Sequence, residues 1–346
     1  KPLSFLDHRI LQGNALFGAT PAGIAEGIPN GAFVGGVGDV KTIVTALKKR
    51  NQHEHATGQT VFGDGNPDLR TEEGALAEIE RIDDDKISSI REKATLLSNW
   101  KSTVSYKHAK LTADAWCAGF IIAKNESTPP LTQAVFSRLR DLQEFDRGLE
   151  AEIKMLARQN TFFHWHLAFP HVFKDPSGDT QPRRSGGFDV VLGNPPWETL
   201  QLKEKEFFSF TSPKIANASN AFARKGLINS LKETSPDLWA SYQAAKRGIE
   251  RFSHFLRKSG SYPLCARGTI NLYTVFTERS QTLINQLGRV GFIVPTGIAT
   301  DKNTKDFFKS ITANERLVSL YSFDHRTSYF GSVQMQFCLL TLTGSD

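Results

Sequence analysis

Cysteine is scarce in this chain: three in 346 residues, Cys117, Cys265 and Cys338, far apart and odd in number. No C-x-x-C pair occurs, and no Cys/His spacing suits a metal ion, which leaves reduced thiols in a cytoplasmic protein and no metal site as the expectation. Long apolar runs are missing too. No stretch is long enough to cross a bilayer, and Lys1-Pro2 begins no signal peptide, so no membrane partner is expected. No internal repeat is present. Neither charge dominates: 42 Lys+Arg stand against 36 Asp+Glu, a net charge of +6 and a pI near 9.1. That mild basic bias is compatible with a polyanionic partner without requiring one. An initiator methionine is absent, which points to processing or to a fragment.

What is present divides into three stretches, 1–20, 21–160 and 161–346. The first holds a short strand around Arg9–Leu11 and a turn at Gly13-Asn14. Residues 19–39, rich in Gly and Pro, read as loop. From about 40 to 160 the pattern is helical: Ile87, Ile90, Ala94 and Leu97 recur at helical spacing, and Val135, Leu139, Leu142, Leu149, Ile153 and Leu156 keep a heptad-like rhythm. Helices packing on one another explain both stripes, since the runs are short for a coiled coil. After 160 the texture changes. FDVVLG (188–193) reads as a buried strand, GRVGFIVP (288–295) as a second, LVSLYSF (317–323) and FCLLTLT (337–343) as two more. Helices are expected over 221–233, 237–258, 271–287 and 300–311, the last capped by Thr300 or Asp301. Apolar strands alternating with helices imply an α/β fold with a mostly parallel sheet covered on both faces, whose ligands sit at the carboxyl ends of the strands.

At that position the chain carries GGFDVVLGNPPW (186–197). Two successive prolines lack N–H donors and forbid continuation of strand or helix. The turn therefore offers the Asn194 side-chain oxygen, the Pro195 carbonyl kept free by Pro196, and the flat face of Trp197. Two acceptors and a stacking plate suit a planar group with an exocyclic amine: an adenine, or else a cytosine. The lone pair of such an amine is delocalised into its ring. Acceptors drawing on both hydrogens favour a pyramidal nitrogen, which frees the lone pair to attack a strong electrophile such as a sulfonium methyl group.

These residues resemble the amino-methylating, S-adenosylmethionine-dependent DNA methyltransferases, whose adenine-N6 members carry Asn/Asp-Pro-Pro-Tyr/Phe/Trp after the fourth strand. The chain is most similar to the large methylases of combined restriction–modification enzymes and of the BREX and DISARM phage-defence systems. The resemblance extends to LSFLDHRILQGNALFG (3–18), IPNGAF (28–33), LTADAWCAGF (111–120), FHWHLAFPHVF (163–173), NLYTVFTERS (271–280), GRVGFIVPTGIATD (288–301), LVSLYSFDHR (317–326) and FCLLTL (337–342). It implies a Rossmann-like class I methyltransferase sheet interrupted by a large helical insertion at 21–160, with 161–346 as the catalytic half. It implies that Asn194 and Pro195 accept from adenine N6 and that Trp197 stacks on an extruded base. Phe337 stands where the family places an aromatic on the other face of that base, with Phe330 as competitor. Asn14 stands where the family has an aspartate near the cofactor adenine. Arg183 and Arg184, beside the catalytic strand, could meet DNA phosphate or simply be solvated. The implied partners are double-stranded DNA and other restriction or phage-defence subunits.

The sequence also departs from the family. Its first motif, Asp-Pro-x-x-Gly-x-Gly-x-Phe, and the acidic residue after the second strand are not found. AFVGGVGD (32–39) follows no convincing strand and lies after the Gly13-Asn14 turn rather than before it. The first two strands of the sheet are therefore expected to be missing, and the chain alone to bind S-adenosylmethionine weakly or not at all. Two further patterns carry less. His164, His166 and His171 suit packing or hydrogen bonding better than a metal, and Asp146 with Glu152-Ile153-Lys154 mimics a nuclease site but falls in a helix. The competing readings are a DNA-binding or scaffold chain without transfer activity, and a methylase of protein glutamine.

Overall fold

The computed structural model describes residues 4–57, 76, 78–173, 186–324 and 335–344. The principal helices are α1 (Lys41–Ala56), α2 (Ile87–Ser102), α3 (Val104–Ile121), α4 (Gln133–Arg140), α5 (Arg147–Asn160), α6 (Ala221–Thr234), α7 (Pro236–Lys258), α8 (Leu272–Leu283) and α9 (Lys305–Ala313). The strands are β1 (Phe188–Gly193), β2 (Ile284–Pro295), β3 (Leu317–Phe323) and β4 (Phe337–Thr343). They form one sheet in the order β1-β2-β4-β3. Only β1 and β2 pair in parallel; β4 runs antiparallel to both β2 and β3. A mostly parallel sheet was the expectation, but an apolar run reveals burial and not direction.

The core is continuous across all three stretches of sequence. Leu16 and Phe17, then Trp116, Phe120 and Ile153, then Phe255, Val290 and Leu340 belong to one buried cluster. At its centre is α3, buried over nearly its whole length after Ala109 because most of its residues there are small or apolar. Each large side chain fully buried there contributes about 1.5–3 kcal/mol. In α5, Leu149, Ile153 and Leu156 face this core, and the Asp146 carboxylate accepts the Leu149 N–H at 2.7 Å to start the helix. Asp146 is thus a helix cap, and Lys154 pairs with Glu150 on the same helix rather than forming a nuclease constellation.

Several local expectations are corrected. Residues Arg9–Leu11 form no strand; the Arg9 and Ile10 N–H groups both donate to the Leu6 carbonyl in a turn. The Gly/Pro-rich stretch contains a short helix, Pro21–Glu26, started by the Thr20 hydroxyl and by proline at its first position. The heptad-like stripe is broken into α4 and α5 at Leu142, which is 71% exposed, with a φ of +56°. Ile87 is exposed rather than core-facing. The helix begun at Leu272 ends at Leu283, and Ile284 already pairs with Phe188, so β2 begins four residues earlier than its glycine suggested. Thr300 closes a short helix instead of opening the long one, which starts at Lys305 after a single turn capped by Asp301.

β1 is also not a buried strand. It lies at the edge of the sheet, and its Val190 and Leu192 are 62% and 81% exposed. Among the described residues no strand covers its other side.

Candidate functional site

β1 hands the chain to the turn. Its last residue, Gly193, pairs with Phe292 of β2, and Asn194 is the first residue beyond the ladder. Asn194 and Pro196 are exposed, Pro195 is buried, and Trp197 is half-buried against the main core. The Trp197 indole N–H donates to the Ile293 carbonyl of β2 at 3.2 Å. This bond anchors the ring edge to the sheet. The far side of the turn is clamped as well. Thr199 bridges Asn271 in antiparallel fashion, the Leu272 N–H donates to the Glu198 carbonyl, and the Leu200 N–H donates to the Ile270 carbonyl. The turn is therefore fixed at one end by β1 and at the other by the start of α8, with two prolines stiffening the span between. Within it the Asn194 side chain makes no hydrogen bond among the described residues, so its amide oxygen is available to an outside donor.

Phe337, the first residue of β4, is brought to this turn from the other end of the sequence. Its ring centroid lies 6.1 Å from that of Trp197 with the planes at 31°. That is a direct aromatic contact. Phe337 is buried and also stacks on Phe323 of β3, at 5.2 Å and 6°. The three rings form a continuous aromatic row because Phe323 and Phe337 are register partners and Phe337 faces Pro295 of β2. As they stand, the Trp197 and Phe337 rings are in tilted contact, and a base between them would require the pair to open. Phe323 was not singled out from sequence. The signal that would have found it is the aromatic residue at the last position of an apolar strand. Phe330 lies outside the described residues, as do Arg183 and Arg184.

Asn14 is not joined to the turn by any of its bonds. Its N–H donates to the Thr161 carbonyl at 2.8 Å, and its side-chain oxygen accepts the Leu16 N–H at 3.2 Å. Gly13 beside it admits no side chain, because a Cβ there would lie 2.5 Å from the Phe163 ring. The Asn14 side-chain NH2 makes no hydrogen bond among the described residues. The glycines of 32–39 follow a single helical turn at Asn30–Ala32 and not a strand, so they do not form a cofactor loop of the strand–glycine–helix kind.

Of the three histidines of the aromatic segment, His164 and His166 belong to the interior and His171 is exposed. His164 Nδ1 accepts the Ala19 N–H at 3.0 Å, and Nε2 bonds Asp114 at 2.9 Å, while Asp114 also holds Lys110 at 2.6 Å. His166 is buried; burial foremost, with the charges of His164 and Arg279, pushes its pKa down to about 3. No group of three or more His, Cys, Asp or Glu able to hold a metal occurs among the described residues. The three cysteines are free and buried. A cavity of about 330 Å³ opens near His8, Trp100, Lys101, Tyr106, Lys110 and His164, and the turn at 194–197 takes no part in it.

The family profile of the Eco57I restriction-modification methylase matches residues 80–235 and 241–330. The chain belongs to the Eco57I methylase family. Membership makes it a methyltransferase of the restriction-modification type, an enzyme class that acts on DNA. The matched span of this Eco57I-family chain includes the Asn194–Trp197 turn and β2; Asn14 and Phe337 lie outside it. No curated protein and no solved structure matches the chain. Among the described residues no helix is long and apolar enough to cross a membrane.

Proposed function

We propose that this chain is the target-base half of an adenine-N6 DNA methyltransferase of restriction–modification or phage defence. One observation carries the reading: a doubly clamped Asn-Pro-Pro-Trp turn beyond the carboxyl end of β1 that leaves the Asn194 amide unengaged. Asn194 and the Pro195 carbonyl accept the two hydrogens of the adenine amine, hold it in place and favour its pyramidal form. Trp197, anchored through Ile293, supplies a fixed plate for the extruded base, and base–aromatic stacking contributes about 1–3 kcal/mol toward the cost of extrusion. Phe337 and Phe323 back that plate; opening of the Trp197–Phe337 contact would let Phe337 take the second face. S-adenosylmethionine, when bound, supplies a methyl group on a sulfonium centre. The residue this reading assigns to it is Asn14, whose side-chain amide N–H groups would serve as donors. Among the described residues the outer edge of β1 is unpaired, with Val190 and Leu192 exposed, which supports the further reading that this edge receives another strand.

A second reading, a DNA-binding or scaffold chain without transfer activity that contacts other restriction or phage-defence subunits, is favoured by a different observation. No glycine-rich loop follows a strand among the described residues. The two readings separate in one experiment. Radiolabelled methyl transfer from S-adenosylmethionine to duplex DNA is measured for the full-length protein and for Asn194→Ala. Removing a group that acts on the reacting centre is expected to lower transfer by about 10²–10³-fold, with DNA affinity little changed. Equal transfer by both proteins removes Asn194 from the chemistry, and no transfer by either supports the scaffold reading. Label in protein instead of DNA would redirect the assignment to a glutamine methylase.

A further inference from the structure

The glycine cluster at 32–39, unsuited to a cofactor, lies against an unusual run of cations. On α7 the residues Arg247, Arg251, His254 and Lys258 fall at helical intervals of four, three and four, so they share one face. The loop and the helical turn before it border this face: a Cβ at Gly38 would lie 4.0 Å from Arg247 Cδ, and one at Gly31, in the turn, would lie 3.3 Å from Lys258 Cβ. Lys124, only 3% exposed, joins the group from below, its ammonium 5.9 Å from the centre of the Phe33 ring and 3.2 Å from the Ile122 carbonyl. The Phe120 ring lies 6.2 Å from that of His254.

The cations are poorly compensated. Among the described residues none of Lys124, Arg247, Arg251 or Lys258 has a salt bridge. Arg251 is half-buried yet makes no hydrogen bond, and His254 Nε2 is buried without a partner. Two carboxylates are near. Asp39 is already engaged, accepting the Lys124 N–H through Oδ1 and the Gly36 N–H through Oδ2, both at 2.9 Å. Glu152 acts on Arg251 only through space. Mutual repulsion is felt within the group. Burial first, and then the Arg251 charge, push the Lys124 pKa down to about 8, with Asp39 opposing. Burial and the charges of Lys124 and Lys258 depress that of His254. A row of like charges held together in partial burial disfavours the empty state and favours an anion.

We infer that the α7 face bearing Arg247, Arg251 and Lys258, beside the 32–39 loop, is a binding surface for the phosphate backbone of a polynucleotide strand. The length of the row selects a strand over a single phosphate. At about 1.5 Å per residue, Arg247 to Lys258 covers roughly 16 Å, comparable to about five nucleotide steps at 3.4 Å each. A lone phosphate would meet one or two of these cations. This surface rests on the DNA-methylase reading, to which it adds a place where the substrate's backbone is held away from the reacting base.

The test is duplex DNA binding by fluorescence anisotropy across a salt series, with the full-length protein and the Arg247→Gln/Arg251→Gln/Lys258→Gln variant. Each lost phosphate contact reduces the slope of log K against log salt by about 0.9. The variant is therefore expected to lose roughly 2–3 units of slope and at least about tenfold in affinity at low salt. The Arg247→Lys/Arg251→Lys variant, keeping both charges, is expected to retain the slope, which separates charge from folding damage. Asn194→Ala is expected to retain it too. An unaltered slope in the Gln variant overturns the surface and leaves the methylase reading standing. Absence of DNA binding by the unaltered protein overturns both. Displacement of bound duplex by inorganic pyrophosphate in equimolar amount would assign the surface to a free phosphate compound and overturn the polynucleotide.

Discussion

The helical stretch and the end of the sheet treat their polar side chains in opposite ways. Around α3 and α4 many buried polar groups are engaged with another part of the chain, although Thr112 Oγ1 and Asp141 Oδ2 are not. Gln133 accepts the Ile28 N–H at 2.7 Å, Asn51 accepts the Gln133 N–H at 2.8 Å and donates to the Ile28 carbonyl at 3.0 Å. Trp116 donates to the Gly27 carbonyl at 2.9 Å, and Gly27, with a φ of +82°, must be glycine because a Cβ would lie 2.1 Å from the Gln133 side chain. Lys110, Asp114 and His164 tie α3 to the aromatic segment before β1. At the carboxyl end of β1 the situation reverses: Asn194 is exposed and unengaged, and apolar Leu192 faces outward. Satisfied buried networks hold one conformation. An unengaged amide on a stiff turn is available to something outside the chain. The contrast separates residues that maintain the fold from residues that act.

That contrast can be broken by measurement. The largest effect is expected for Asp114→Ala, which leaves His164 without its partner in the interior. Stranding a buried donor that bonded a carboxylate costs toward the upper end of about 1–3 kcal/mol, read as a shift in urea unfolding. Gln133→Ala, which strands the Ile28 N–H, is expected to cost about 1–3 kcal/mol. His166 gives a pH signature rather than a single shift. Its folded pKa lies below its unfolded value, so the unfolded chain binds the extra proton and stability is lost as pH falls below 6.5 toward 3. The slope contributed by this one group approaches about 1.4 kcal/mol per pH unit, and unfolding from pH 7 to 4 should be correspondingly flatter in His166→Gln than in the unaltered protein. The smallest effects are expected at the sheet end: Leu192→Ser and Asn194→Ala should each stay within about 0.5 kcal/mol of the unaltered stability. A large loss in Asn194→Ala would place that residue among the structural ones and erase the distinction.

Much of the architecture was legible because it rests on short-range patterns. The helices at 221–234 and 236–258 and the strands at 317–323 and 337–343 follow from apolar periodicity and from punctuation by Pro, Ser and Gly. The Asn194–Trp197 turn was legible for a related reason: successive prolines impose their geometry wherever they occur. What could not be read depended on partners far away in sequence. Val190 and Leu192 have the composition of a buried strand, and only the sheet order shows that β1 is an edge. Leu142 continues a heptad-like stripe on paper but sits with φ positive between two helices. The place of Phe323 beside Phe337 depends on the register of two antiparallel strands.

The amino-acid sequence by itself determined the chemistry on offer: a rigid turn with two acceptors and an indole after a β-strand, in a chain with no disulfide framework and no membrane-spanning run. Local sterics and covalent constraint suffice for that. Which polar groups stay free, which strand lies at the edge and which cations line up beside the glycine loop were decided only by the tertiary structure. Those properties are set by contacts between segments up to a few hundred residues apart, and no local pattern encodes the desolvation or the charge environment that such contacts create.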